Sequence, residues 1–207
     1  MKKVAFLFSG RGSLLSTVLQ AVSDAKQPAE LSLTITNNAA FSPQGNAAFD
    51  NLPVVQIDHR DFTDRHGFEQ AISRHLDEAG VDLIILGGFR RIFSPEFVRK
   101  YGQKTMNTHP SLLPAFPGDK AQLKAIQGGL RVSGATLHFI NEEVDAGPII
   151  DQEPVRILNG TTESDLKELI ISAERKMIYR AVCAFLEGRL SVADNRVIYE
   201  GYFDAQN

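Results

Sequence analysis

The apolar run Val4–Phe8, closed at once by Ser9-Gly10-Arg11-Gly12-Ser13, limits the fold more than any other stretch of the chain. Consecutive apolar residues leave no face for water, so the run reads as a strand covered on both sides, as in a parallel sheet. After the turn the period changes: Leu15, Val18, Leu19 and Val22 fall at i, i+3, i+4 and i+7, one face of an amphipathic helix. A buried strand, a glycine turn and a helix in succession open a βαβ unit with a right-handed crossover.

The alternation continues. Leu31–Thr36 and Val54–Ile57 are strand-like, while Phe68, Ile72, Leu76 and Ala79 mark a helix that Gly80 ends. Asp82–Leu86 is another buried strand, followed by Gly87-Gly88, and Ser94-Pro95 starts a further helix. The second half differs. Val132–Ile140 and Ile149–Ile157 are strand-like stretches joined by a hairpin-like or long-loop connection, Asn141–Pro148. Thr162–Glu187 is a long helix in which Thr162 and Asp165 fit a capping box, and Arg189–Ala193 with Arg196–Tyr199 forms a terminal hairpin. The expected class is α/β: an open, mostly parallel twisted sheet with helices on both faces and an antiparallel C-terminal portion. No repeat or linker interrupts residues 1–207, so a single domain is expected.

Composition removes several functions. Twenty-two Lys and Arg against 25 Asp and Glu give a net charge of −3, which favours neither nucleic acid nor an anionic membrane as partner. No apolar segment reaches the ~18 residues of a membrane span. Ser9 to Gly12 cuts the first apolar run too early for a signal peptide. The single cysteine, Cys183, cannot pair within the chain, and a reducing cytoplasm is the expected location. No His, Cys, Asp or Glu cluster has metal-ligand spacing, so small-molecule partners without a metal are expected.

Three segments carry chemistry. In the turn from Ser9 to Ser13, free backbone N–H groups and the helix dipole suit a phosphate or carboxylate, and Arg11 and Ser13 can add donors. The dinucleotide fingerprint is not met, because Leu15 stands at its third glycine. The same glycines would equally serve a plain strand-to-helix turn. In Asn107-Thr108-His109-Pro110, strand alternation points Asn107 and His109 the same way, and Pro110 holds His109 extended. An amide and an imidazole then stand together at a strand end, where open α/β sheets bind ligands. Both can donate to a developing oxyanion, and a protonated imidazole can deliver its proton; alternatively the pair merely closes a loop. Asp145, in Val144-Asp145-Ala146-Gly147-Pro148, is the best carboxylate partner for His109, or else caps a turn.

Asn107-Thr108-His109-Pro110-Ser111-Leu112-Leu113-Pro114 together with Asp145-Ala146-Gly147-Pro148 resembles the folate-dependent formyltransferases, most closely the phosphoribosylglycinamide formyltransferases of purine synthesis. Ser9-Gly10-x-Gly12-Ser13, Gly88-Phe89-x-Arg91-Ile92 and Gly134-x-Thr136-x-His138 extend the resemblance over nearly the whole chain. It implies a Rossmann-like formyltransferase fold and transfer of the formyl group of 10-formyltetrahydrofolate, as co-substrate, to a primary amine. The first candidate amine is 5-phosphoribosylglycinamide. Alternatives are another amine, water (a formyltetrahydrofolate hydrolase), or a catalytically silent folate- or nucleotide-binding module. Such hydrolases generally carry an N-terminal regulatory domain, whereas Met1 leads directly into the first strand here.

By the same resemblance Asn107, His109 and Asp145 are the catalytic set. Gly10, Arg11, Gly12, Ser13, Arg65 and Glu174 hold the amine substrate; Arg91, Ile92, Phe93, His138, Asn141 and Val144 line the folate pocket. The N-terminal half would thus bind phosphate and nucleotide, and the C-terminal half folate and the chemistry, in a monomer or homodimer. A cis Leu113–Pro114 bond is also implied. Arg11, Leu14, Arg90 and Ile171 depart from the purine-enzyme pattern, all on the amine side. Arg175 and Lys176 read as solvated helix residues.

Overall fold

The computed structural model describes residues 1–201. In chain order the elements are β1 (Lys2–Phe8), α1 (Leu15–Asp24), β2 (Ala29–Thr36), β3 (Val54–Gln56), α2 (Arg65–Ala79), β4 (Leu83–Leu86), α3 (Pro95–Tyr101) and β5 (Thr105–His109). They continue with α4 (Ala121–Gln127), β6 (Val132–Phe139), β7 (Ile149–Arg156), α5 (Glu163–Leu186), β8 (Leu190–Ala193) and β9 (Arg196–Tyr199). One seven-stranded sheet has the order β3-β2-β1-β4-β5-β6-β7, and β8 and β9 form a separate hairpin. Strands β1 to β5 pair in parallel, whereas β6 and β7 run antiparallel to their neighbours. The expected class is the observed one.

The central position of β1 follows from its composition. Val4, Phe6 and Phe8 face one core with Leu15 and Val18 of α1 and the inward stripe of α5, including Leu166, Ile170, Met177 and Ile178. Ala5 and Leu7 face a second core with Phe68, Ile72 and Leu76 of α2 and Phe97 and Tyr101 of α3. Each such side chain, fully buried, contributes about 1.5–3 kcal/mol. An alternating polar strand in this position would forfeit one of the two layers.

Local signals set most helix ends. The Asp64 carboxylate accepts from the Gly67 N–H at the start of α2, and Gly80 closes that helix at φ 65°. Ser94 caps α3 with Pro95 at its first position, and Thr162 and Asp165 form a reciprocal capping box on α5. Helix α1 differs: Leu14 at its cap position offers no side-chain bond, which leaves the first-turn amides without a side-chain partner. A further helix lies in a stretch whose sequence shows no helical period. Residues 121–127 form α4, with Ala121 and Ala125 buried one turn apart. A seven-residue helix is too short for its period to show.

From β1 the chain builds outward to β2 and β3, then returns to the other side of β1 to lay down β4 and β5. The direction therefore switches between β1 and β4, and a crevice opens at their carboxyl ends. There the Arg90 N–H donates to Ser9 Oγ at 2.8 Å, joining the glycine turn to the segment after β4. No helix of the described residues is long and apolar enough to cross a membrane.

Candidate active site

Strand β5 presents Asn107 and His109 on one side, and Thr108 points to the other, as the two-residue period requires. Pairing with β6 places His138 directly opposite Asn107. Between β6 and β7 the connection turns sharply: Asn141 Nδ2 donates to the Ala146 carbonyl at 3.0 Å, and the Glu143 N–H to Asn141 Oδ1 at 3.1 Å. Gly147 lies so close to the Phe139 carbonyl that no side chain fits there. Asp145, held in this turn at φ 55°, projects its carboxylate back over β5.

Its oxygens stand 3.3 Å from His109 Nδ1 and 3.9 Å from His138 Nε2, and the Gly118 N–H donates to Oδ2 at 2.8 Å. The His109 and Asp145 side chains are 7% and 10% exposed. At that burial a carboxylate is costly without partners, and the Gly118 amide and the imidazole offset the cost. On its far side the His109 ring meets the Phe116 carbonyl, with Nε2 at 2.8 Å. Both nitrogens therefore face oxygens that only accept, an arrangement suited to the doubly protonated ring. Segment 110–118 supplies that carbonyl through a web of bonds. Thr136 Oγ1 donates to the Ser111 carbonyl and accepts from the Leu113 N–H, and Ser111 Oγ donates to the Ala115 carbonyl. The Leu113–Pro114 bond is cis, as the resemblance implied.

His138 is 2% exposed. Burial holds its imidazole below the usual histidine range, against the pull of Asp145 and of its hydrogen bond to Phe139. Nδ1 lies 2.9 Å from the Phe139 carbonyl, and Nε2 lies 3.2 Å from Asn107 Nδ2.

At the glycine turn Gly12 is buried at φ 67°, and a Cβ there would lie 2.5 Å from the Phe49 ring; only glycine fits. Gly10, Arg11 and Ser13 are exposed at the crevice, whereas Leu14 is buried in the core. Arg175 of α5 is not simply a solvated residue, because its guanidinium donates to the Ser13 carbonyl at 3.3 Å. A second cation beside Arg11 thus flanks this turn, a juxtaposition set by the packing of α5 on α1. Glu174 is only 9% exposed; its carboxyl is pushed up to about 7 by burial, partly countered by the Thr108 hydroxyl. Arg65 stands exposed at the first position of α2 and is not tied to the turn by a hydrogen bond or ion pair.

On the opposite rim Arg91 and Ile92 are exposed, Ile92 at 64%, and Val144 faces outward at 51%. Phe93 is instead packed inward, its ring 5.4 Å from that of Phe89 and 3.9 Å from that of Phe97. Arg99 of α3 reaches Glu142 at 3.2 Å and so links this rim to the Asn141–Val144 turn. Contacts run from His109 to Asp145, from Asp145 to His138 and from His138 to Asn107, and the glycine turn is tied through Ser9 to Arg90, in the segment after β4. The contributions of Phe116, Gly118 and Arg175 were missed from sequence. Two are backbone groups with no side-chain signature, and the third depends on a contact 162 positions away. Among the described residues no three His, Cys, Asp or Glu side chains gather as a metal site.

The Asn107 amide and the His109 imidazole on one side of β5, with the Asp145 carboxylate beside His109, can together steady an oxyanion and move a proton. Known proteins resemble the chain as a whole. The human trifunctional purine biosynthetic protein adenosine-3 is 37% identical over 93% of this chain, which spans 19% of that protein. Phosphoribosylglycinamide formyltransferase of Haemophilus influenzae is 33% identical, covering 97% of this chain and 95% of its own. The crystal structure of glycinamide ribonucleotide transformylase 1 from Symbiobacterium toebii superposes with a TM-score of 0.89 at 33% identity, over 96% of this chain and 94% of that one. The sequence model of the formyl transferase family matches residues 2–182, and with the fold and these relatives it shows that the chain belongs to that family.

Proposed function

We propose that this chain transfers the formyl group of 10-formyltetrahydrofolate to the primary amine of 5-phosphoribosylglycinamide, a step of purine synthesis. The observation that carries the reading is the convergence of Asn107, His109 and Asp145 at the end of β5. As the amine attacks, negative charge gathers on the formyl oxygen. The Asn107 amide donates to that oxygen, and His109 joins it when one of its ring N–H groups exchanges its resting acceptor, Asp145 or the Phe116 carbonyl, for the oxyanion. Asp145 keeps the His109 ring oriented, and the pair relays the proton that must pass from the attacking amine to the departing nitrogen.

In this reading Gly10, Arg11, Gly12 and Ser13 hold the acceptor's phosphate on uncapped amides of α1 and on the Arg11 guanidinium, with Arg175 adding charge nearby. Arg65 and Glu174 complete the acceptor side. Arg91, Ile92, Phe93, Asn141 and Val144 form the folate side, Ile92 and Val144 contributing uncovered apolar surface and Phe93 the floor. The chain acts as one domain, its N-terminal half binding phosphate and its C-terminal half folate, in the cytoplasm as a monomer or homodimer.

The test is an acceptor screen with 10-formyltetrahydrofolate, following release of tetrahydrofolate by absorbance. Turnover that requires 5-phosphoribosylglycinamide is expected. Turnover with a different amine alone would reassign the acceptor, and formate release without any amine would make the chain a hydrolase. No turnover in any arm would leave only a binding module.

A further inference from the structure

The hydrogen bonds around His138 have a directional consequence for Asn107. A carbonyl oxygen only accepts, so the 2.9 Å contact between Nδ1 and the Phe139 carbonyl requires a proton on Nδ1. In a neutral ring Nε2 is then bare and can only accept. The atom facing it at 3.2 Å is Nδ2 of Asn107, which can only donate. Reversing the Asn107 amide would bring Oδ1 against the bare Nε2, two lone pairs face to face in a nearly dry site, an outcome the low local dielectric penalises strongly. The titratable groups facing His138 are Asp145, which draws it toward protonation, and His109, which opposes it. The directly opposed positions on β5 and β6 hold the two side chains at this distance.

We propose that His138 is a positioning residue rather than part of the folate pocket: with its proton on Nδ1, it accepts from the Asn107 amide and determines that Nδ2, not Oδ1, is oriented toward the reacting carbonyl. One N–H of Nδ2 is spent on His138, and the second remains to donate to the developing oxyanion. Without the acceptor the amide is free to turn its oxygen toward that charge, which repels instead of stabilising. The assignment rests on the formyl-transfer reading for its catalytic meaning, but the tautomer it requires does not.

Two measurements test it. Long-range proton–nitrogen spectra of the intact protein with 15N-labelled histidine are expected to show His138 at neutral pH protonated on Nδ1 and bare on Nε2. A proton on Nε2 overturns the assignment, whether or not the protein turns over. The second is a double-mutant cycle on kcat. His138→Met, which removes the acceptor at similar volume, is expected to cost roughly 10- to 100-fold in kcat, with both KM values nearly unchanged. In an Asn107→Ala background the same change is expected to cost almost nothing, because it acts only through Asn107. Equal losses in the two backgrounds would mean that His138 is structural. His138→Gln returns an acceptor oxygen near the place of Nε2 and is expected to recover most of the rate. Should His138→Met not fold, a His138→Gln rate as low as that of Asn107→Ala also overturns the proposal. A wild-type protein inactive toward every acceptor would count against formyl transfer alone, since the spectra still decide the tautomer.

Discussion

At the scale of single residues, the site pairs groups whose partners define their roles. Asp145 holds His109 from one side while the Phe116 carbonyl faces the other, so His109 has little freedom to act except as a donor. Replacing Asp145 with Asn keeps the shape and removes the charge. Turnover is expected to fall about 100-fold or more with folate binding nearly intact, read from kcat and a folate titration. Activity close to wild type would take Asp145 out of the proton path. Arg11 stands at the acceptor's end of the crevice, and Arg11→Asn is expected to raise the acceptor KM and leave the folate KM unchanged. An unmoved acceptor KM would place that guanidinium in solvent. That Asn107 and His109 share one side of β5 was legible in the sequence, because strand alternation and the Pro110 stop are local properties, whereas the reach of Asp145 to His109 was not. Phe116 and Gly118 were not, since any residue supplies the same backbone atoms.

At the scale of elements, caps and turn residues place the strand ends that carry the site. The box of Thr162 and Asp165 starts α5 and with it aligns Glu174 and Arg175 toward β5 and the glycine turn. Thr162→Ala removes one half of the box and is expected to cost about 1 kcal/mol, seen as a lower urea midpoint with an unchanged slope. No change in midpoint would mean that packing alone sets the start of α5. The strands and long helices could be anticipated because their periods extend over many residues. Helix α4 could not, since two alanines one turn apart are too little pattern.

At the scale of the whole molecule, stacking α5 on the sheet buries Glu174, with the Thr108 hydroxyl hydrogen-bonded to its carboxyl. Its carboxyl sits at about 7 in the folded chain against 4.5 for an ordinary glutamate, so the folded state keeps a proton that the unfolded state loses. The sign follows: this group leaves stability intact below about pH 4.5 and erodes it as pH rises toward 7, by a few kcal/mol in order of magnitude. Glu174→Gln is therefore expected to melt higher than wild type at pH 8 and to match it near pH 4.5. An equal difference at both values would show that Glu174 does not titrate in this range.

Periodicity, turn chemistry and charge balance sufficed to identify a doubly covered, mostly parallel sheet with an antiparallel end, and strand alternation identified the side of β5 that carries Asn107 and His109. These are short-range properties, written within a few residues of where they act. The distance from Asp145 to His109, the seclusion of Glu174, the reach of Arg175 to the Ser13 carbonyl and the tautomer of His138 belong to another category. Each joins atoms far apart along the chain, and their separation is settled only when two cores close on β1 and the crevice between β1 and β4 takes its width.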